Sequence, residues 1–280
     1  MLVLWFARRW LVAAVLMGGV TACSRGEGAP ALPKAPAAPT APSARSAPPA
    51  PGPDLTPARR LPAPDPNMSR PPKTPVEVLC RKAWGARGPS GRYQAHEIKR
   101  LTIHHSGALL RRNAMAPRRL RSAQRFHQSK AKGWADIAYH YLLDLDGNIY
   151  EGRPAQYRGD TGTRYDTTGH FLVCLVGDYS KQTTTEAQVK ALVSLLAWAS
   201  EEYGVSPKTI TGHRDHAATA CPGDNLYALI KDGTIRRRVE QILARGGGRL
   251  DRICGERGRG RVASISADGG AISVGATREK

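Results

Sequence analysis

Apolar and polar positions alternate with recognisable periods only in the middle of this chain. In Arg100-Leu-Thr-Ile-His-His105, Leu101 and Ile103 alternate with Thr102 and His104, the period of a β-strand. A helix is predicted over 117–130. Pro117 suits its first turn, Leu120, Ala123 and His127 form one stripe, and Arg118, Arg121 and Arg125 form a solvated one. Segments 138–144 and 148–151 flank Asp146-Gly147, which signals a hairpin. Phe171-Leu-Val-Cys-Leu-Val176 is apolar throughout and reads as a fully buried strand. Thr183 and Glu186 suggest a capping box for a helix carrying Val189, Leu192, Val193 and Leu196 on one face and stopped by Gly204. A short strand at 208–211 and a last helix at 233–244 complete the pattern. Strands and helices mixed in this order predict a three-layer α/β domain, a single mixed central β-sheet flanked by helices.

The flanks lack such periods. Of the 21 prolines, 16 fall between residues 24 and 75, a stretch with no aromatic residue, Val or Ile. It cannot bury enough apolar surface to offset the entropy of ordering. An extended linker with polyproline II character is expected, with a reach on the order of 160 Å when fully stretched. From Gly246 onward the chain is rich in Gly and Arg and is expected to be a loosely ordered tail. The expected organisation is therefore 1–22 signal peptide, 23–75 linker, 76–245 folded domain and 246–280 tail, with one globular domain rather than two.

At the N-terminus, Arg8 and Arg9 precede an apolar run of 13 residues, 10–22, where a membrane span needs about 20. The run ends in Val20-Thr21-Ala22-Cys23, which resembles a bacterial lipobox. That resemblance implies removal of residues 1–22 and a lipid anchor on Cys23. Ser24 after it implies, in a host with two membranes, the outer membrane facing the periplasm. The alternative, an ordinary secretory signal with an incidental Cys, also exports the protein.

Export changes how charge and cysteines are read. The net charge of +19 divides into +2 in the signal, +4 in the linker, +7 in 76–235 and +6 in 236–280. A sequence pI near 10.2 would ordinarily suggest nucleic acid, but no helix-turn-helix, zinc finger or aromatic ribonucleoprotein motif is present. An exported basic protein meets anionic envelope polymers and lipid headgroups instead. Besides Cys23, the chain has Cys80, Cys174, Cys221 and Cys254, in an oxidising setting. Cys174 sits in the apolar strand and reads as packing. Cys80 and Cys254 stand near the two ends of the folded part, and a disulfide between them or two free thiols both remain open.

The chemistry-bearing residues cluster around histidine. His104 ends the first strand, His213 follows the last one, and Cys221 lies in Ala220-Cys221-Pro222-Gly223. Imidazole and thiolate suit zinc, and three protein ligands leave a fourth position for water. Spacing alone only suggests a metal site and favours surface histidines and a structural cysteine, since there is no CxxC pair and no HExxH helix.

Four segments go further. Ile103-His104-His105-Ser106, Gly133-Trp134-Ala135-Asp136-Ile137-Ala138-Tyr139-His140, Asp146-Gly147-Asn148-Ile149-Tyr150-Glu151-Gly152-Arg153 and Gly212-His213-Arg214-Asp215 with Cys221-Pro222-Gly223 occur in this order. Together they resemble the peptidoglycan recognition protein family, which includes the type 2 N-acetylmuramoyl-L-alanine amidases. Trp84-Gly85-Ala86-Arg87 is similar to the family's opening segment, and the resemblance spans about 78–235. It implies zinc (Zn2+) held by His104, His213 and Cys221, and hydrolysis of the amide between N-acetylmuramic acid and L-alanine in peptidoglycan. Tyr139 and Thr219 fall on positions that donate hydrogen bonds to the reacting carbonyl. Gly133, Trp134 and Arg153 match members that prefer meso-diaminopimelate, whose side-chain carboxylate a guanidinium can hold.

The rival reading is a peptidoglycan-binding envelope lipoprotein without turnover, against which the retained Cys221 argues. Some relatives carry a Glu where this chain has Cys174, so that carboxylate is absent, and Glu151 reads more simply as a hairpin salt bridge. His105, His127, His140 and His170 read as packing groups, supports for a ligand or surface groups, and Arg214 with Asp215 as an ion pair shaping the ligand loop. A monomer without nucleic acid is expected.

Overall fold

The computed structural model describes residues 72–268. The signal, Cys23 and the linker up to residue 71 lie outside the described residues. Seven strands form one sheet: β1 (Thr74–Leu79), β2 (Arg100–His105), β3 (Tyr141–Leu143), β4 (Ile149–Glu151), β5 (His170–Leu175), β6 (Thr211–Gly212) and β7 (Gly248–Ile253). Their order is β6-β2-β5-β3-β4-β1-β7. All neighbours run parallel except the β3–β4 hairpin.

The hairpin turns where the sequence placed Asp146-Gly147. The buried Asp144 carboxylate accepts from the Asp146 and Asn148 backbone N–H groups and from the Tyr150 hydroxyl at 2.7 Å. Gly147 has φ +78°, and a Cβ there would lie 2.5 Å from the Ala187 carbonyl, so glycine is required twice over.

Helices cover both faces. α1 (Ala116–His127) and α5 (Gly255–Ala267) lie on one side, where Leu79, Trp84, Leu120, Leu142, Cys174 and Val262 are buried together. α2 (Glu186–Glu202), α3 (Asp224–Lys231) and α4 (Thr234–Ala244) lie on the other, over Ile103, Phe171, Val173, Leu192 and Val239. Hence every residue of β2 after Arg100 is buried, Thr102 and His104 included. Alternation in a central strand of a covered sheet selects a layer rather than solvent.

The structure shifts several expected boundaries. α1 ends at His127, before 130. The α2 cap is Thr185 with Gln188, not Thr183 with Glu186: the Thr185 hydroxyl accepts from Gln188 N, and the Gln188 side chain accepts from Thr185 N. The expected strand at 208–211 is mostly a 3-10 turn, Pro207–Thr209, with only Thr211 and Gly212 paired to β2. α3, which sequence reasoning did not anticipate, follows the cysteine loop.

The largest correction is the tail. The domain does not stop at 245: β7 pairs with all six residues of β1, and α5 buries Val262 and Ile265. Its glycines serve packing. A Cβ on Gly258 would meet the Ile253 carbonyl at 2.5 Å and Ala83 at 2.8 Å, so α5 sits closer than any larger residue would permit. Cys80 and Cys254, at the C-terminal ends of β1 and β7, are joined by a disulfide.

Candidate metal centre and active site

The sheet brings three distant segments to one place. His104 sits near the end of β2, on the α1 face with Cys174, its partner in register on β5. β6 lies beside β2 and delivers His213 immediately after it, in a 3-10 turn. The following loop folds back so that Arg214 N donates to the Cys221 carbonyl at 3.0 Å. One ligand atom from each of His104, His213 and Cys221 lies within 4.8 Å of the others, and all three residues are buried.

Each ring is held by its second nitrogen. Cys221 Sγ is 3.7 Å from His104 Nδ1, while His104 Nε2 shares a 3.4 Å hydrogen bond with the Tyr165 hydroxyl. His213 Nε2 bonds the Thr163 hydroxyl at 2.7 Å and the Thr161 hydroxyl at 3.2 Å. Ring nitrogens anchored this way leave Nδ1 free to ligate, the arrangement that orients metal-bound histidines. The His105 backbone N–H donates to Cys221 Sγ at 3.3 Å, which favours a thiolate.

Electrostatics agree with a bound cation. Burial, then the neighbouring His213 ring, holds His104 well below the usual imidazole range. Burial and then His216 lower His213 to about 4. Both rings are therefore neutral ligands at neutral pH. Burial pushes the Cys221 thiol up to about 12, partly opposed by the His105 N–H and by Arg214. A buried sulfur becomes a thiolate there only beside a strong local positive charge. Two neutral imidazoles and one sulfur, all on buried residues and within ligand distance of one another, fit zinc.

Tyr139 stands just before β3, half-buried, its ring centroid 5.4 Å from that of His104. Burial, then the Cys174 and Cys221 sulfurs, raises its phenol well above 10, so it is a donor at any working pH. Thr219 is half-buried, and its hydroxyl accepts from Cys221 N at 3.2 Å with its own proton left to donate. The segment carrying Tyr139 is fixed by Asp136, fully buried, whose carboxylate accepts from Gln124 on α1 at 2.6 Å, from Tyr93 at 2.6 Å and from Ile137 N at 2.7 Å. It also pairs with Arg81 at 2.8 Å.

Gly133, Trp134 and Arg153 line one cavity of about 170 Å³ together with Arg92, Arg158 and Asp160. Within it Arg153 is largely committed to the protein: it is buried, donates to the Ile137, Asp136 and Arg158 carbonyls, and pairs with Asp160. Arg92 is the exposed guanidinium of the lining. A second, mainly apolar cleft of about 230 Å³, bordered by α1, includes Ser106, Ser122, Ala123, Phe126, Tyr139 and Val176 in its lining. The His127 ring lies tilted against that of Trp134, centroids 4.7 Å apart, and edge-on to that of Tyr139 at 6.1 Å.

The other histidines have structural partners. His140 Nδ1 accepts from Leu172 N, and its Nε2 bonds the Tyr157 carbonyl. His105 Nδ1 accepts from Tyr179 N, and His170 Nδ1 bonds Thr102. Arg214 and Asp215 do shape the ligand loop, but not as a pair. Arg214 reaches Asp224 and the Ala220 carbonyl, while Asp215 accepts from Gly212 N and the Tyr227 hydroxyl. Glu151 does form a salt bridge, with Arg252 of β7. Thr161, Thr163 and Tyr165 escaped sequence reasoning because their loop, between β4 and β5, has no period and no motif.

The N-acetylmuramoyl-L-alanine amidase family model matches residues 94–224. Among curated relatives, peptidoglycan-recognition protein SC2 of Drosophila melanogaster is 32% identical over 159 residues, 56% of this chain and 85% of that protein. The crystal structure of drosophila peptidoglycan recognition protein SD has a TM-score of 0.52 at 29% identity, covering 56% of this chain and 94% of its own. Peptidoglycan recognition protein LE, solved in complex with tracheal cytotoxin, a monomeric diaminopimelic acid-type peptidoglycan, has a TM-score of 0.52 at 27% identity, covering 59% and 98%.

Proposed function

Because this chain belongs to the family of peptidoglycan recognition proteins and N-acetylmuramoyl-L-alanine amidases, we propose that it hydrolyses the amide between N-acetylmuramic acid and L-alanine. The observation that carries this reading is the buried His104, His213 and Cys221 set with Tyr139 beside it. A zinc ion held by those three side chains would supply Lewis-acid chemistry at the scissile carbonyl.

The chain's own residues supply donors for the charge that develops on the carbonyl oxygen. The Tyr139 O–H and the Thr219 hydroxyl donate to the carbonyl oxygen as it gains negative charge, with the largest effect in the transition state. Tyr139 cannot act as a base, because its environment raises its pKa further. Asp136 and Arg153 hold the segment that presents Tyr139, so the donor is set before substrate arrives.

The cavity at Gly133 and Trp134 supports a diaminopimelate-type stem. Trp134 packs on the aliphatic arm, Arg92 and Arg158 take the side-chain carboxylate, and Arg153 shapes the floor. The lipobox-like Val20-Thr21-Ala22-Cys23 supports a lipid anchor on Cys23 and an envelope location. Fractionation of Cys23→Ala checks the anchor, which fails if the variant stays with membranes as the parent does.

Muropeptide release followed by mass spectrometry tests the activity. Cleavage should stop with a chelator and in Cys221→Ser, which should also lose zinc. Tyr139→Phe should keep zinc and lose about 10²–10³-fold in turnover. Diaminopimelate substrates should be cut faster than lysine ones. Tight binding of muropeptide by zinc-loaded protein with no product would refute hydrolysis and leave recognition alone.

A further inference from the structure

Between Glu97 and Asp136 the sequence has no acidic residue, yet ten of those 38 positions are basic. α1 occupies the middle of this run. It exposes Arg118, Arg119 and Arg125, and the exposed Arg111, Arg112 and Lys130 flank it. None of these six has a carboxylate partner among the described residues. Arg119 reaches only the Leu109 carbonyl at 3.5 Å, and Arg125 only Ser122. Elsewhere several exposed arginines do meet acids: Arg236 with Glu240, Arg249 with Asp251, Arg252 with Glu151.

Stability does not account for the contrast. Arg118 and Arg119 stand in the first turn of α1, which has no acidic residue. Cations there oppose the positive end of the helix dipole. The same face borders the cleft at Tyr139 through Arg119, Ser122 and Phe126. Phe126, 52% exposed, is the one exposed large hydrophobic among the described residues. Uncompensated guanidinium groups beside a solvent-facing aromatic ring, at the mouth of a reaction cleft, suit a partner that is anionic and partly apolar.

We infer that this face of α1 docks polymeric peptidoglycan beyond the stem being cut. Carboxylates of neighbouring stem peptides meet Arg112, Arg118 and Arg125, and Phe126 offers its ring to the apolar face of a sugar. The inference rests on the amidase reading and adds a preference for polymer over soluble fragments. A twelve-residue helix is about 18 Å long, enough to present charge outside the cleft. An anionic bilayer fits the charge but not the place, because a membrane laid on this face would close the cleft that contains Tyr139.

The test compares the full chain with its Arg112→Gln/Arg118→Gln/Arg125→Gln variant, whose changes all lie outside the cleft lining. Co-sedimentation with intact sacculi should weaken about five- to tenfold at low salt. The difference should vanish at about 0.5 M salt. kcat/KM on a soluble monomeric muropeptide should stay within about twofold. Unchanged sedimentation would overturn the inference. So would an equal loss on muropeptide and sacculi, or a loss confined to anionic phospholipid vesicles. A wild-type chain that cuts no muropeptide yet sediments through these arginines would refute hydrolysis while supporting the surface.

Discussion

Thr163 illustrates how much of the site is made by residues that carry no chemical signature. Its hydroxyl bonds His213 Nε2 at 2.7 Å, and Tyr165 does the same for His104 at 3.4 Å. Thr163→Val removes the hydroxyl at nearly constant shape. Zinc affinity, read by chelator competition, should fall about 10-fold or more, and Thr163→Ser should restore it; an unchanged affinity would show that the bond does not orient the ligand. His104, His213 and Cys221 were legible in the sequence because strand ends aim side chains outward and the surrounding motifs are distinctive. Thr161, Thr163 and Tyr165 were not, because their role exists only once β5 and β6 are in place. Buried rings also set a pH dependence. Burial lowers His140 to about 3 and His170 to about 4, so between about 6.5 and those values the unfolded chain binds protons that the native fold refuses. Stability from these rings is complete above about 6.5 and is lost as pH falls toward 4. Urea midpoints of the metal-free protein at pH 7 and pH 5 check this, with the lower midpoint expected at pH 5.

The hairpin was readable because its partner and turn lie close by, β5 because a fully apolar run has few alternatives, and β2 through its own period-two alternation although its partners β5 and β6 lie far along the chain. β7 was hidden for the opposite reasons. Gly248-Arg-Leu-Asp-Arg-Ile253 has charges on an edge strand, and its partner β1 is 174 residues away in register. Glycines that read as disorder proved to be points of close approach, Gly258 against Ile253 and Ala83. Composition does not distinguish glycine that frees a chain from glycine that lets two elements touch. The consequence is a truncation experiment. A chain ending at Arg245 leaves β1 unpaired on one edge and uncovers Leu79, Trp84 and Leu120, which pack with Val262 and Ile265. It should be insoluble or melt well below a chain ending at Asp268. Equal melting temperatures would restore the view that the tail is dispensable.

The whole molecule places its chemistry on the α1 face of the sheet and closes the opposite face with α2 and α4. Three-layer architecture was predictable from the order of elements, whereas the strand order required the long-range pairing of β1 with β7. That pairing bears on what happens when the protein is pulled. A lipid anchor at Cys23 would transmit any tension between membrane and wall into the start of β1, at Thr74. A pull directed along β1 would load in shear the hydrogen bonds that tie it to β7 over six residues and to β4 at its far end. Bonds loaded in this direction share the load instead of opening one after another. The Cys80–Cys254 bridge at the far end of the same pair keeps the strands covalently attached if they slip. Were the chain tethered at Cys23, β1 would take the load with six paired residues and a covalent bridge behind it, and β7 and α5, which look dispensable in the sequence, would act as its anchorage.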